Sequence, residues 1–426
     1  MKNKFTSFLV LIGLLLLTVG LIFTFTNVLD GNNEPVQKPT KVDEPVEIDR
    51  NYTNNPDNNF NLDIIKLANK EETGNYLISP YSIELALSML RDGANNNSLE
   101  ELKNVIPERN IKLLSSGKNI SVNNGIFINE TEKSKIKNDY VKSINSKYKA
   151  EVNYVTMNNA VETINNWVNK NTYGMIKEII KEVNPNYVLS LVNTVAVDIS
   201  WNDKFECKDT TSEEFINGDK KTKVEMMHKT YQSGASYVSN ENELGIVVPY
   251  KEYDSVNNDK INLEFIAIMP KNGDINTYIE KHTSKSINEV IDKSLKANSD
   301  YNVMLSLPRF EYDYDYKGII NSLKSLGIKE VFDKKNADLT KMAEGVYVSS
   351  IVHKTHVEVS EKGTKAAAAT SVEVSNKEAV AASGPSIIHI KFNKPFMYII
   401  RDRDSKEMLF IGVVKEPNEW KGSTCE

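Results

Sequence analysis

The chain has no Gly-x-Ser-x-Gly elbow, no Gly-x-x-x-x-Gly-Lys-Ser/Thr loop and no His-Glu-x-x-His pair, so the usual marks of a serine hydrolase, an NTPase and a zinc protease are all missing. Five histidines and two cysteines in 426 residues leave little from which to build a metal centre or a disulfide framework. His353 and His356, three apart in an extended segment, face opposite sides and cannot chelate one ion as a pair. No catalytic residue, cofactor or metal site is read. A net charge of −6 without a dense basic stripe argues against a nucleic-acid partner. Repeats of solenoid period are absent, and no Pro/Gly/Ser-rich linker interrupts the last ~370 residues, which read as one domain. Cys207 and Cys425 could pair in an exported protein, but two unpaired thiols are an equal reading, and no disulfide is assigned.

One long apolar run is present. After Lys2 and Lys4, residues 5–29 carry no charge and would span ~37 Å as a helix, against ~30 Å of hydrocarbon. Residues 1–29 are therefore expected to be a single-pass membrane anchor with the domain on the extracellular face, or, as the alternative, a cleaved signal leaving a secreted protein. Residues 30–55, rich in Asn, Pro, Asp and Glu, suit a flexible tether to a domain at 56–426.

The most informative stretch is a near absence of bulk. From Ser360 to Ser371 there is no large apolar side chain, and the run includes four successive alanines, Ala366 to Ala369. As a strand, one face would carry Thr364, Ala366, Ala368, Thr370, Val372, Val374 and Asn376, all small, β-branched or neutral. Every charge from Thr364 onward, starting with Lys365, falls on the other face. Gly363 supplies a pivot ahead of it. Alone, the segment would read as a low-complexity surface linker.

Its surroundings change that reading. The hinge Glu361-Lys362-Gly363-Thr364-Lys365-Ala366-Ala367-Ala368-Ala369-Thr370 resembles that of the serpins, in particular inhibitory members of bacterial type. So do Asn75-Tyr76-Leu77-Ile78-Ser79-Pro80, Leu191-Val192-Asn193 with Trp201 and Phe205, Val248-Pro249-Tyr250, Leu307-Pro308-Arg309-Phe310, His353-Lys354 and Lys391-Phe392-Asn393-Lys394-Pro395-Phe396. The resemblance implies an α+β mixed fold with three β-sheets, about nine helices and an exposed reactive-centre loop at about 361–390. It implies no enzyme but a monomeric suicide inhibitor of serine, or cysteine, endopeptidases, which traps the acyl-enzyme by inserting the cleaved loop into the central sheet. The alternative is a non-inhibitory serpin acting as an extracellular binding or chaperone-like protein.

Counting as in the family, with Gly363 fifteenth before the cut, the reactive bond joins Lys377 and Glu378, which favours a trypsin-like target. Counting backward from Lys391 gives Ser383-Gly384, and a bond within Glu378 to Ala382 would suit subtilisin- or elastase-like enzymes. The hinge residues are Glu361, Gly363, Thr364, Ala366, Ala368 and Thr370. The resemblance further assigns Ser79, Ser82, Asn193 and His353 to a polar cluster under the sheet where its strands must part, and Trp201 to the point where insertion starts.

Overall fold

The computed structural model describes residues 59–417, except 107–110, 112, 115, 117–118, 184–187, 255–259, 299 and 365–385. Three strands with no exposed position, Leu263–Pro270, Phe396–Asp402 and Met408–Val414, form the middle of a seven-stranded sheet. Continuous apolar runs of this kind need cover on both faces, and they define where the core sits. Helices pack around this sheet, and one of them, Pro80–Gly93, is buried on nearly every side. Pro80–Gly93 is the longest of those described; Ser79 caps it by accepting from the Ser82 N–H, and Pro80 occupies its first turn, where a missing donor costs nothing.

A second sheet of four strands runs Ser386–Lys391, Tyr301–Pro308, Lys220–Tyr231, Thr210–Asn217; its first pair is parallel and the other two antiparallel. The third sheet is divided. One half orders Glu151–Val155, Ile120–Asn129 and Leu189–Val197; the other orders Phe310–Asp315, Lys354–Ser360, Gly363–Thr364 and Ile199–Ser200. Asp198 alone separates Leu189–Val197 from Ile199–Ser200, so the two halves meet at one end. Lys354–Ser360 alternates strictly at its start: Thr355 and Val357 are buried, whereas Lys354, His356 and Glu358 stay half-exposed on the front face. On the front of the other half lies the helix Ala160–Asn171, which packs Ile164 and Val168 against Phe127 and Val192. The expected α+β fold is the one observed.

The expected membrane anchor is overturned by the helices observed. Among the described residues no helix is long and apolar enough to cross a membrane. Pro80–Gly93, with 14 residues, would reach only ~21 Å and carries Glu84, Arg91 and Asp92. The long apolar stretches of the described chain are strands buried in the seven-stranded sheet. Residues 1–29, on which the expectation rested, and the tether at 30–55 lie outside the described residues. The membrane as a partner and an anchored location are accordingly withdrawn.

Candidate functional site

The divided sheet has a seam. Leu189–Val197 pairs with Ile120–Asn129 on one edge, and among the described residues no strand pairs with its other edge. Lys354 to Val359 pair with Asp315 to Phe310, but among the described residues the opposite edge of this strand is engaged only at its last two positions, where Val359 meets Thr364 and Ser360 meets Gly363. Gly363 and Thr364 in turn pair with Ser200 and Ile199. Among the described residues the seam is thus closed at its top by two residues and unpaired below.

Three cavities follow one another down it. The upper one, of ≈ 20 Å³, is lined by Val195, Val197, Val357 and Thr364. The middle one, also ≈ 20 Å³, is lined by Ser79, Ser82, Asn193, His353 and Thr355. The lowest, ≈ 590 Å³, has walls that include Leu87, Ile164, Leu191, Met342 and Ile351. Close-packed interiors do not normally leave such a row of voids.

What fastens the top is polar and buried. The chain turns at Glu361 and Lys362, and the Glu361 carboxylate accepts two bonds of 2.7 Å from Arg309 Nε as well as bonds from the Arg309 Nη2 and the Thr210 hydroxyl. Both charged side chains are about 5% exposed or less, so this pair is held in a low-dielectric site where removing one partner strands the other. Trp201 Nε1 donates to Ser360 O at 2.8 Å, and the Trp201 and Phe205 backbone N–H groups donate to Lys362 O and Glu361 O, both at 3.1 Å. The Trp201 indole stacks on Tyr250 at 4.8 Å, and the Tyr250 hydroxyl is hydrogen-bonded to Thr364 Oγ1.

Thr364 is 2% exposed, a position open only to a small side chain. Gly363 has φ +154°, and a Cβ there would lie 2.0 Å from Ile199 O. Only glycine allows that backbone approach.

Midway down, the Ser79 N–H donates to His353 Nε2 at 3.1 Å. Burial holds the His353 imidazole at a pKa of about 4, so it is neutral near pH 7, and Nδ1 must carry its proton. Asn193 donates instead to Asn124 Oδ1 at 2.7 Å, and its own Oδ1 is buried without a partner.

The structure therefore brings Ser79, Ser82, Asn193 and His353 to one cavity, although His353 bonds Ser79 and not Asn193. It places Trp201, Glu361, Gly363 and Thr364 together at the seam's top. The stretch expected as a loop at about 361–390 divides: 361–364 are built into the sheet, Ser386–Lys391 is a strand, and between them Ala366, Ala368, Thr370, Lys377 and Glu378 lie outside the described residues. Sequence reasoning missed Arg309, Thr210 and the role of Tyr250. Arg309 and Tyr250 stood inside motifs already singled out, but no local pattern ties them to residues 52 and 114 positions away. Cys207 is disulfide-bonded, and no described cysteine is free; Cys425 lies outside the described residues.

The family model described as "Serpin (serine protease inhibitor)" matches residues 55–417. The chain is 27% identical over 389 residues to an uncharacterized serpin-like protein of Thermococcus kodakarensis, covering 85% of each chain. It is 28% identical over 391 residues to a leukocyte elastase inhibitor of Xenopus tropicalis, covering 84% of this chain and 97% of the relative. Among solved structures it is similar to the thermophilic serpin tengpin in its native state, with TM-score 0.70 and 29% identity over 85% of this chain and 93% of that one.

Proposed function

The chain belongs to the serpin family, and from that premise we propose that it is an irreversible inhibitor of serine endopeptidases that works by inserting its cleaved loop into the seam. As a serpin it is not an enzyme. Loop insertion in serpins is itself the standard instance of strand addition that releases stored strain. The protease attacks the bond between Lys377 and Glu378 and becomes acyl-linked to the Lys377 carbonyl. The fourteen residues from Thr364 to Lys377 then enter the seam as a strand ~46 Å long, and the attached protease is dragged across the domain. With its oxyanion hole distorted, deacylation stalls.

The observation that carries this reading is the two-residue seed at the top of a seam that is otherwise unpaired among the described residues. Continuing its register downward puts Thr370 opposite His353 on one side and Asn193 on the other. Its hydroxyl would there reach the buried Asn193 Oδ1 that lacks a donor. The same register leaves Ala366 and Ala368 facing the small upper cavity, where larger side chains would not fit. The disulfide at Cys207 suits work outside the cell.

A panel of trypsin-like, elastase-like, subtilisin-like and cysteine proteases, run on denaturing gels with mass analysis of the released fragment, tests the proposal. A heat- and detergent-stable complex with a trypsin-like enzyme, lost in Lys377→Ala, is expected. Complex formation surviving that substitution would move the bond into Glu378 to Ala382, and cleavage without complex by every protease would overturn inhibition altogether.

A further inference from the structure

We propose that a cavity between the hairpin of strands Ser236–Ser239 and Glu243–Pro249 and the helices Ile275–Lys281 and Ser284–Asp292 binds a small organic cation, an ammonium carried on an aromatic body, with Glu243 as its counter-ion. The cavity has a volume of ≈ 730 Å³, within the range of sites for drug-sized ligands. None of its lining residues borders the seam, and its strands come from one edge of the seven-stranded sheet. The hairpin turn builds the charged group into place. Asn240 Oδ1 accepts from the backbone N–H groups of Asn242 and Glu243 at 2.8 and 3.0 Å, while its Nδ2 donates to Glu243 Oε1 at 2.9 Å.

Two independent observations point to a cationic ligand. Glu243 is 5% exposed, yet among the described residues no lysine, arginine or histidine forms an ion pair with it, whereas Glu264 and Glu361, buried to a similar degree, each hold an arginine. A carboxylate so placed normally has a cation against it. The second observation is the Tyr278 hydroxyl, which is buried in the wall of the same cavity and makes no hydrogen bond of good geometry. Burial first, and then the neighbouring Glu243 charge, push the Tyr278 phenol well above its usual pKa, so it stays neutral with a lone pair to offer. An ammonium group, with three donors and no acceptor, fits between these oxygens. The His282 ring packs 4.1 Å from that of Tyr278, and its Nδ1 donates to Tyr278 O at 2.8 Å, which holds the phenol in place. Tyr237, Val238, Val290 and the exposed Leu295 supply aromatic and apolar surface for the body of the ligand. A metal ion fits less well, because among the described residues no three His, Cys, Asp or Glu donors converge here.

Glu243 and Tyr278 stood in no sequence motif, and only the packing of a hairpin turn against a helix joins them. The test is calorimetric titration of the full-length protein with phenethylammonium and, separately, with its neutral isostere phenethyl alcohol. One cation per chain is expected, bound about tenfold or more tightly than the alcohol, with a raised melting temperature. Glu243→Gln should remove that preference, lowering affinity for the cation about tenfold or more while leaving that for the alcohol unchanged. Tyr278→Phe should weaken cation binding by about three- to tenfold. Should Glu243→Gln misfold, the contrast between cation and alcohol on the unaltered protein, together with Tyr278→Phe, carries the test. No binding of the cation at millimolar concentration, equal affinity for cation and alcohol, or undiminished cation affinity in Glu243→Gln would overturn the proposal.

Discussion

At the scale of single residues, the hinge depends on what Gly363 lacks and what His353 cannot do. A methyl at Gly363 would collide with the Ile199 carbonyl, so Gly363→Ala should unseat residues 363–364 from the seam and cost about 1–3 kcal/mol. Thermal melts of the variant check this; an unchanged midpoint would mean the seed contributes nothing to stability. His353 titrates near 6.5 when unfolded and at about 4 when folded. The unfolded chain therefore binds the extra proton first, and the stability His353 confers is complete above pH 6.5 and lost as pH falls to about 4, by about 3 kcal/mol at most. Urea midpoints at pH 7 and pH 4.5 should fall further for wild type than for His353→Gln, which keeps an acceptor for the Ser79 N–H but does not titrate. Equal falls would place the acid sensitivity elsewhere. That Thr364 takes an inward position open only to a small side chain was legible in sequence, because alternation alone suggests it. The anchoring of Glu361 by Arg309 was not, because a buried ion pair between distant positions leaves no local trace.

Elements add a register. Under the proposed insertion, the pairing of Thr364 with Val359 and Ile199, continued downward, would bring Lys365 opposite both Glu358 and Asp198. In that register the lysine would meet two carboxylates. Lys365→Glu is expected to slow insertion and raise the fraction of inhibitor cleaved without trapping, by severalfold in stoichiometry titrations; Thr364→Arg, which forces a charge into the buried site beside Tyr250, should convert the protein wholly to a substrate. Trapping at wild-type stoichiometry by both variants would refute the register. Sequence alternation assigned the faces of this segment but could not tell that Gly363 and Thr364 already pair, since propensity of an Ala-rich run favours no strand.

For the molecule as a whole, ordered motifs from Asn75 to Phe396 were enough to specify the family and an α+β fold, because their apolar runs and caps each demand a set place around one core. The seam was not legible: a sheet left unpaired between two of its strands is a property of tertiary packing, and no periodicity marks it. The anchor was misjudged from hydropathy in a stretch beyond the described fold. The central claim, that cleavage lets the loop fill the seam, is tested most directly by amide hydrogen exchange on intact and loop-cleaved protein. Backbone amides in 189–197 and 354–360 that exchange readily in the intact form should become strongly protected after a single cut near Lys377. Unaltered exchange in both strands after complete cleavage would contradict the account.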